Sequence, residues 1–150
     1  MLASVAMKAS AADIALICGS LPEVELGISW GDRPTFKVPT GGRGKGFVIY
    51  RAPGKTAIDP VTGKMFDDLL VIAVPNEEMK ASLVQDPHSP FFTIDHFNGY
   101  NAVLVQQSRL GEIEREELAE ILIEAWACKA PKRLVNKYFA DQRSQAPPAE

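Results

Sequence analysis

Cysteine and histidine are scarce in this chain, with two of each among 150 residues. Cys18 and Cys128 stand alone, each inside an apolar helical pattern, so both are expected as reduced, buried thiols behaving as small hydrophobes. His88 and His96 lie eight positions apart around Pro90, with Asp86 and Asp95 beside them. Zinc sites use tighter ligand pairs and three or four donors, so these read as loop histidines, and no metal or cofactor is expected. Long apolar runs are missing too. The longest, Leu69 to Val74, ends at Pro75, far short of the roughly 20 residues that span a bilayer. Met1 to Ala6 lack a basic start and a full hydrophobic stretch, and Lys8 and Asp13 interrupt the next residues, so no signal peptide is expected and the chain reads as cytoplasmic, away from membranes. No Gly-Lys-Ser/Thr opens a helix, no dinucleotide fingerprint is complete, and no nucleophile elbow marks a serine. Asp67 and Asp68 are adjacent and point to opposite sides of an extended segment, which suits turn polarity better than paired acid–base work. The chain reads as a binding domain without catalytic residues.

What is present is enough for one globular domain: 46% apolar and 23% charged residues, long enough to bury a core. The net charge of -3 hides a division. Residues 33–64 carry seven Lys and Arg against Asp59 alone, whereas residues 65–100 carry six acids against Lys80. Any polyanion-binding role therefore belongs to one face of the first half.

Ser10 and Asp13 form an N-cap signal ahead of Ile14, Ile17, Cys18 and Leu21, which recur at helical spacing until Pro22. Leu26 to Trp30, Phe36 to Val38 and Phe47 to Tyr50 read as successive strands. Arg51 to Asp68 is rich in turn signals and has no clear period, a length of connection often functional or mobile. Leu69 to Val74 is apolar throughout, as in a strand covered on both faces. Asn76 opens a short helix, and Phe91 to Ile94 and Ala102 to Gln106 are further strands around the Asn98-Gly99 turn. Leu118, Ile121, Leu122 and Ala125 stripe a helix whose outer face carries Glu117, Glu120 and Glu124, and a last helix starts after Pro131. This order predicts a two-layer α+β fold: an antiparallel sheet of about five or six strands with helices packed mainly on one face. Residues 1–9 form an N-terminal extension, 10–140 one domain and 141–150 a frayed tail.

Gly41, Gly42, Gly44 and Gly46 surround Arg43 and Lys45, so a phosphate can approach the backbone with cations beside it. A flexible, charged hairpin tip accounts for the same residues. Lys37 and Arg51 flank the hairpin near Tyr50, the mixture of cations and aromatics found on nucleic-acid surfaces and also on ordinary solvated faces. No helix carries an array of Arg, Asn and Gln suited to reading bases in a major groove. Trp30 and Trp126 read as core, or as the rim of a pocket.

Leu21-Pro22-Glu23-Val24, Ser29-Trp30-Gly31, Pro34-Thr35-Phe36-Lys37, Phe91-Phe92-Thr93, Phe97-Asn98-Gly99-Tyr100 and Glu124-Ala125-Trp126 with Ala130-Pro131-Lys132-Arg133-Leu134 together resemble the MmcQ/YjbR-like family, in order, over about residues 10 to 140. The resemblance implies a compact two-layer domain of the frataxin (CyaY) kind and a DNA-binding role. Frataxin-like iron binding uses an acidic first helix, and residues 10–21 hold only Asp13, so it does not carry over. Many members place a tryptophan after the Gly99 turn, where this chain has Asn101-Ala102. The expected phosphate contacts are Lys37, Arg43, Lys45, Arg51, Lys55, Lys132 and Arg133, with DNA as partner. The alternative is a module for an acidic protein or a small anionic ligand.

Overall fold

The computed structural model describes residues 7–145. The first helix, α1 (Ala11–Ser20), starts where the Asp13 carboxylate accepts the Ser10 backbone N–H at 2.9 Å, satisfying one of the donors left over at a helix start. Its inner face buries Ile14 and Cys18. Five strands come next: β1 (Glu25–Ser29), β2 (Arg33–Val38), β3 (Lys45–Tyr50), β4 (Leu69–Ala73) and β5 (Ala102–Gln106). They lie side by side in chain order, every neighbour antiparallel. Helix α2 (Glu77–Gln85) lies between β4 and β5, its Asn76 cap accepting the Met79 N–H at 2.9 Å. Helices α3 (Arg115–Ala127) and α4 (Lys132–Gln145) complete the order.

Register divides the sheet into two faces. Leu26, Phe36, Val48, Ile72 and Val103 stand in one cross-strand row, and Gly27, Thr35, Ile49, Val71 and Leu104 in the next. The first row faces the helices, where Phe36, Val48, Ile72 and Val103 join Ile14, Cys18, Leu118, Leu122, Ala125 and Trp126 in the main core. Trp126 is fully buried, and its indole N–H donates to the Pro22 carbonyl at 3.1 Å, tying α3 to the end of α1. The second row meets a smaller cluster, Leu69, Val71 and Leu104 with Ala57 and Phe97, flanked by Phe66, Phe92 and Ile94. Strand β4 supplies both clusters, which is why every one of its residues is buried and its sequence has no polar position. Each such side chain contributes roughly 1.5–3 kcal/mol of burial.

The two-layer α+β expectation holds, with five strands. Phe91 to Ile94 does not become a strand: Phe92 makes a single bridge to Leu104, Phe91 packs into the main core, and Phe92 and Ile94 cover the second face. The connection from Arg51 to Asp68 folds as a short flap. Ile58 bridges Met65, the Asp59 N–H donates to Lys64 at 2.8 Å, and Ala57 is sealed beneath. Cys18 is buried, and burial pushes its thiol up to about 12. Cys128 is exposed, contrary to the apolar-stripe reading, because α3 ends at Ala127 and the next residue falls outside the packed stripe. Residues 7–9 run antiparallel to 113–115, with Ala9 N–H donating to Ile113 and Arg115 N–H to Met7. Helix α4 continues through residues 141–145. The readings of residues 1–6 and 146–150 fall outside the described residues. No helix is long and apolar enough to cross a membrane among the described residues.

Candidate functional site

The glycine-rich loop from Pro39 to Gly44 joins β2 to β3, as its composition predicts. Gly41 and Gly42 both take positive φ, 107° and 85°, a conformation in which a side chain would be strained. Lys37 pairs with Gly46 and Val38 with Lys45, so the loop places Lys37, Arg43 and Lys45 on one hairpin. Arg43 and Lys45 are exposed; Lys37 is half-buried, its aliphatic stem lying across the bare surface of Gly27. The hairpin is not purely basic. Glu25, opposite Lys37 on β1, accepts the Gly42 N–H at 3.0 Å and sets a carboxylate among the cations.

The other expected cations lie outside the hairpin itself. Lys132 and Arg133 sit at the start of α4 in the helical layer, and Arg133 meets Glu23 at 3.3 Å. Lys55 is exposed in the flap connection. Arg51 leaves β3 at the end opposite the hairpin, where its N–H donates to Leu69. Its guanidinium carbon stands 5.8 Å from the Phe97 ring centroid and a terminal nitrogen donates to the Thr56 hydroxyl. The other terminal nitrogen is buried without a partner among the described residues, and burial lowers the Arg51 pKa. Arg51 therefore holds Phe97 in place.

Beside the hairpin the second face of the sheet is only partly covered. The flap and the 91–97 segment roof β4 and β5, leaving a cleft of about 300 Å³ floored by Gly46, Ile49 and Val71. Its walls are aromatic. Phe97, almost fully buried, has Trp30 and Tyr100 around it at centroid distances of 6.1 and 6.0 Å. Trp30 and Tyr100 are 55% and 64% exposed, so much of each large ring remains open to solvent. Asn101 and Lys129 lie at the cleft's polar margin. Lys80 of α2 braces the far wall, its ammonium donating to the carbonyls of Phe97 and Tyr100 at 2.8 and 2.7 Å.

Trp30 has φ of 49° in the three-residue loop between β1 and β2. A bulky side chain in this left-handed region costs about 1–2 kcal/mol, and Gly or Asn is the usual occupant. The ring that this turn carries rests on Phe97, a rim position as the sequence suggests for Trp30, while Trp126 is core. Phe97, Tyr100 and Lys129 were not legible as site residues, because the turn chemistry of Asn98-Gly99 says nothing about which face its aromatic neighbours cover. Among the described residues no three His, Cys, Asp or Glu side chains gather to hold a metal.

The YjbR family model matches residues 19–128, which include all five strands, α2 and α3. The chain belongs to the YjbR family. Uncharacterised proteins of Mycobacterium tuberculosis and Mycobacterium bovis are 43% identical over 74 residues, 49% of this chain and 55% of theirs. The chain thus spans about half the length of the curated relatives it matches. Among solved structures, a Deinococcus radiodurans protein with a DUF419 domain superposes with a TM-score of 0.52 at 20% identity, covering 81% of this YjbR-family chain and 78% of that one. At that identity the likeness is one of fold.

Proposed function

We propose that this YjbR-family chain is a non-enzymatic, cytoplasmic binding domain that contacts the phosphates of a nucleic acid, DNA in the first instance, through the β2–β3 hairpin. The observation that carries the reading is the grouping of Lys37, Arg43 and Lys45 on one hairpin whose glycines leave the backbone bare of side chains, the Gly42 N–H being engaged by Glu25. Lys55, Lys132 and Arg133 lie outside that hairpin and add to the attraction, Arg133 while paired with Glu23, and Arg51 serves indirectly by holding Phe97. Glu25 within the hairpin and the overall charge of -3 keep the interaction weak and confined to one face.

Titration of duplex DNA at increasing salt tests this. Three phosphate contacts give a log–log slope of about -3, and each of Lys37→Ala, Arg43→Ala and Lys45→Ala removes roughly one unit. A binding curve insensitive to salt, or unmoved by all three substitutions, refutes it. A second reading, recognition of a small anionic ligand or of an acidic protein segment, is favoured by the aromatic cleft beside the hairpin. Thermal stabilisation by a small anion with no response to DNA would select it.

A further inference from the structure

We infer that the cleft on the open half of the sheet is a stacking subsite for a single unstacked nucleobase carried with its phosphate. The inference deepens the phosphate-contact reading and rests partly on it. Three features of the cleft point to a flat ring as occupant. Its floor is stripped of bulk at Gly46, and a Cβ there would meet Thr35 Cγ2 at 2.6 Å, so this part of the sheet presents backbone rather than side chain. Its walls are the exposed faces of Trp30 and Tyr100, fixed around a buried Phe97. The Phe97–Tyr100 side is held from behind, Phe97 by the Arg51 guanidinium and the carbonyls of Phe97 and Tyr100 by Lys80, and Trp30 rests on Phe97. A side chain with apolar bulk would pack against such walls equally well, but charge decides between them. Lys129 stands at the cleft margin and Lys37 on the neighbouring surface of Gly27, so the ring must come with an anionic substituent. At about 300 Å³ the cleft lies at the lower end of small-ligand sites, suited to one base and not to a stacked pair. A duplex hides its base faces, whereas an unpaired base offers both.

The two tryptophans make the test direct, because Trp126 is sealed in the core and Trp30 is the solvent-facing reporter. Emission would be followed on the full chain titrated with adenosine monophosphate, with ribose 5-phosphate, and with an eight-residue single-stranded oligo(dA). The expected result is saturable quenching by the nucleotide and the oligomer and none by the sugar phosphate. Tyr100→Ala and Lys80→Met should each weaken nucleotide binding about tenfold while the circular dichroism spectrum stays native, and Trp30→Phe should abolish the quench while calorimetry still detects binding. An oligomer binding at least tenfold tighter than the mononucleotide, with the excess lost in Lys37→Ala/Arg43→Ala/Lys45→Ala, identifies a strand as the source; equal affinities identify the free nucleotide. Ribose 5-phosphate binding as well as the mononucleotide, or no quench by either nucleotide form, overturns the inference. The hairpin reading fails separately: nucleotide quenching without salt-dependent duplex binding removes it and leaves the cleft standing.

Discussion

Gly46→Ala is the substitution that most sharply examines the geometry linking hairpin and cleft. An added Cβ would lie 2.6 Å from Thr35 Cγ2, closer than two carbons can pack, with Ser29 Oγ and Ile49 Cγ1 at 3.7 and 3.8 Å leaving little space for retreat. Thr35 is fully buried and β-branched, and its hydroxyl donates to the Arg33 carbonyl at 3.0 Å, so its methyl group cannot rotate away without breaking that bond. Overpacking of this kind costs about 1–3 kcal/mol. For a domain of this size each kcal/mol lowers the melting temperature by about 4 °C. Thr35→Ser deletes the offending methyl group and keeps the hydroxyl, at a cost of about 1 kcal/mol for the lost burial. In the double variant the clash is gone, so the cost of Gly46→Ala should fall by at least 1 kcal/mol relative to its cost in the parent. Urea denaturation of the four proteins measures the cycle. Additive effects, with Gly46→Ala equally costly beside serine, would refute the proposed contact and with it the bare floor of the cleft.

Three other outcomes are expected. Asp13→Ala removes the acceptor for the Ser10 N–H and the partner of Arg115 at 3.2 Å; with Asp13 only 8% exposed, urea denaturation should register a loss of about 1–3 kcal/mol. In mass-spectrometric labelling with iodoacetamide at pH 8, Cys128 should react first and Cys18 only after unfolding. Burial holds the Cys18 thiol at about 12, and partial desolvation of the reachable Cys128 thiol raises it above its ordinary value, so neither is appreciably thiolate at neutral pH and the rate at Cys128 should rise as pH climbs toward its pKa. Trp30→Gly removes the left-handed strain together with the Phe97 contact, two effects of about 1 kcal/mol and opposite sign, so the melting temperature should stay within about 4 °C of the parent.

The parts of the fold legible in the sequence are those where local chemistry and burial agree. Ser10 with Asp13, Asn76 ahead of Met79, and the unbroken apolar run of β4 each specify their element by a short-range rule, and each appears in the structure. Phe91 to Ile94 satisfies the composition of a strand, yet β5 offers it only one bridge, with Phe91 drawn into the main core and Phe92 and Ile94 laid over the sheet's second face. The flap between Arg51 and Asp68 has no period because it packs as a lid, through Ala57 and Phe66, instead of as a layer. Site legibility divides the same way. Lys37, Arg43 and Lys45 are neighbours through one hairpin, so sequence proximity locates them together. Arg51 reads as a surface cation from its position after β3, and only the long-range contact with Phe97 reveals its other role. Trp30, Phe97 and Tyr100 come together across some 70 positions of chain, a juxtaposition no local pattern encodes.

Strand β4 sends alternate side chains into opposite apolar clusters, and its two neighbours reach it through long excursions of the chain. Neither cluster can therefore loosen alone without disturbing the backbone ladder that anchors the other. Opening of the sheet becomes an all-or-none event at this strand, so its amide protons should be among the last to exchange with solvent, while the exposed β2–β3 turn breathes independently.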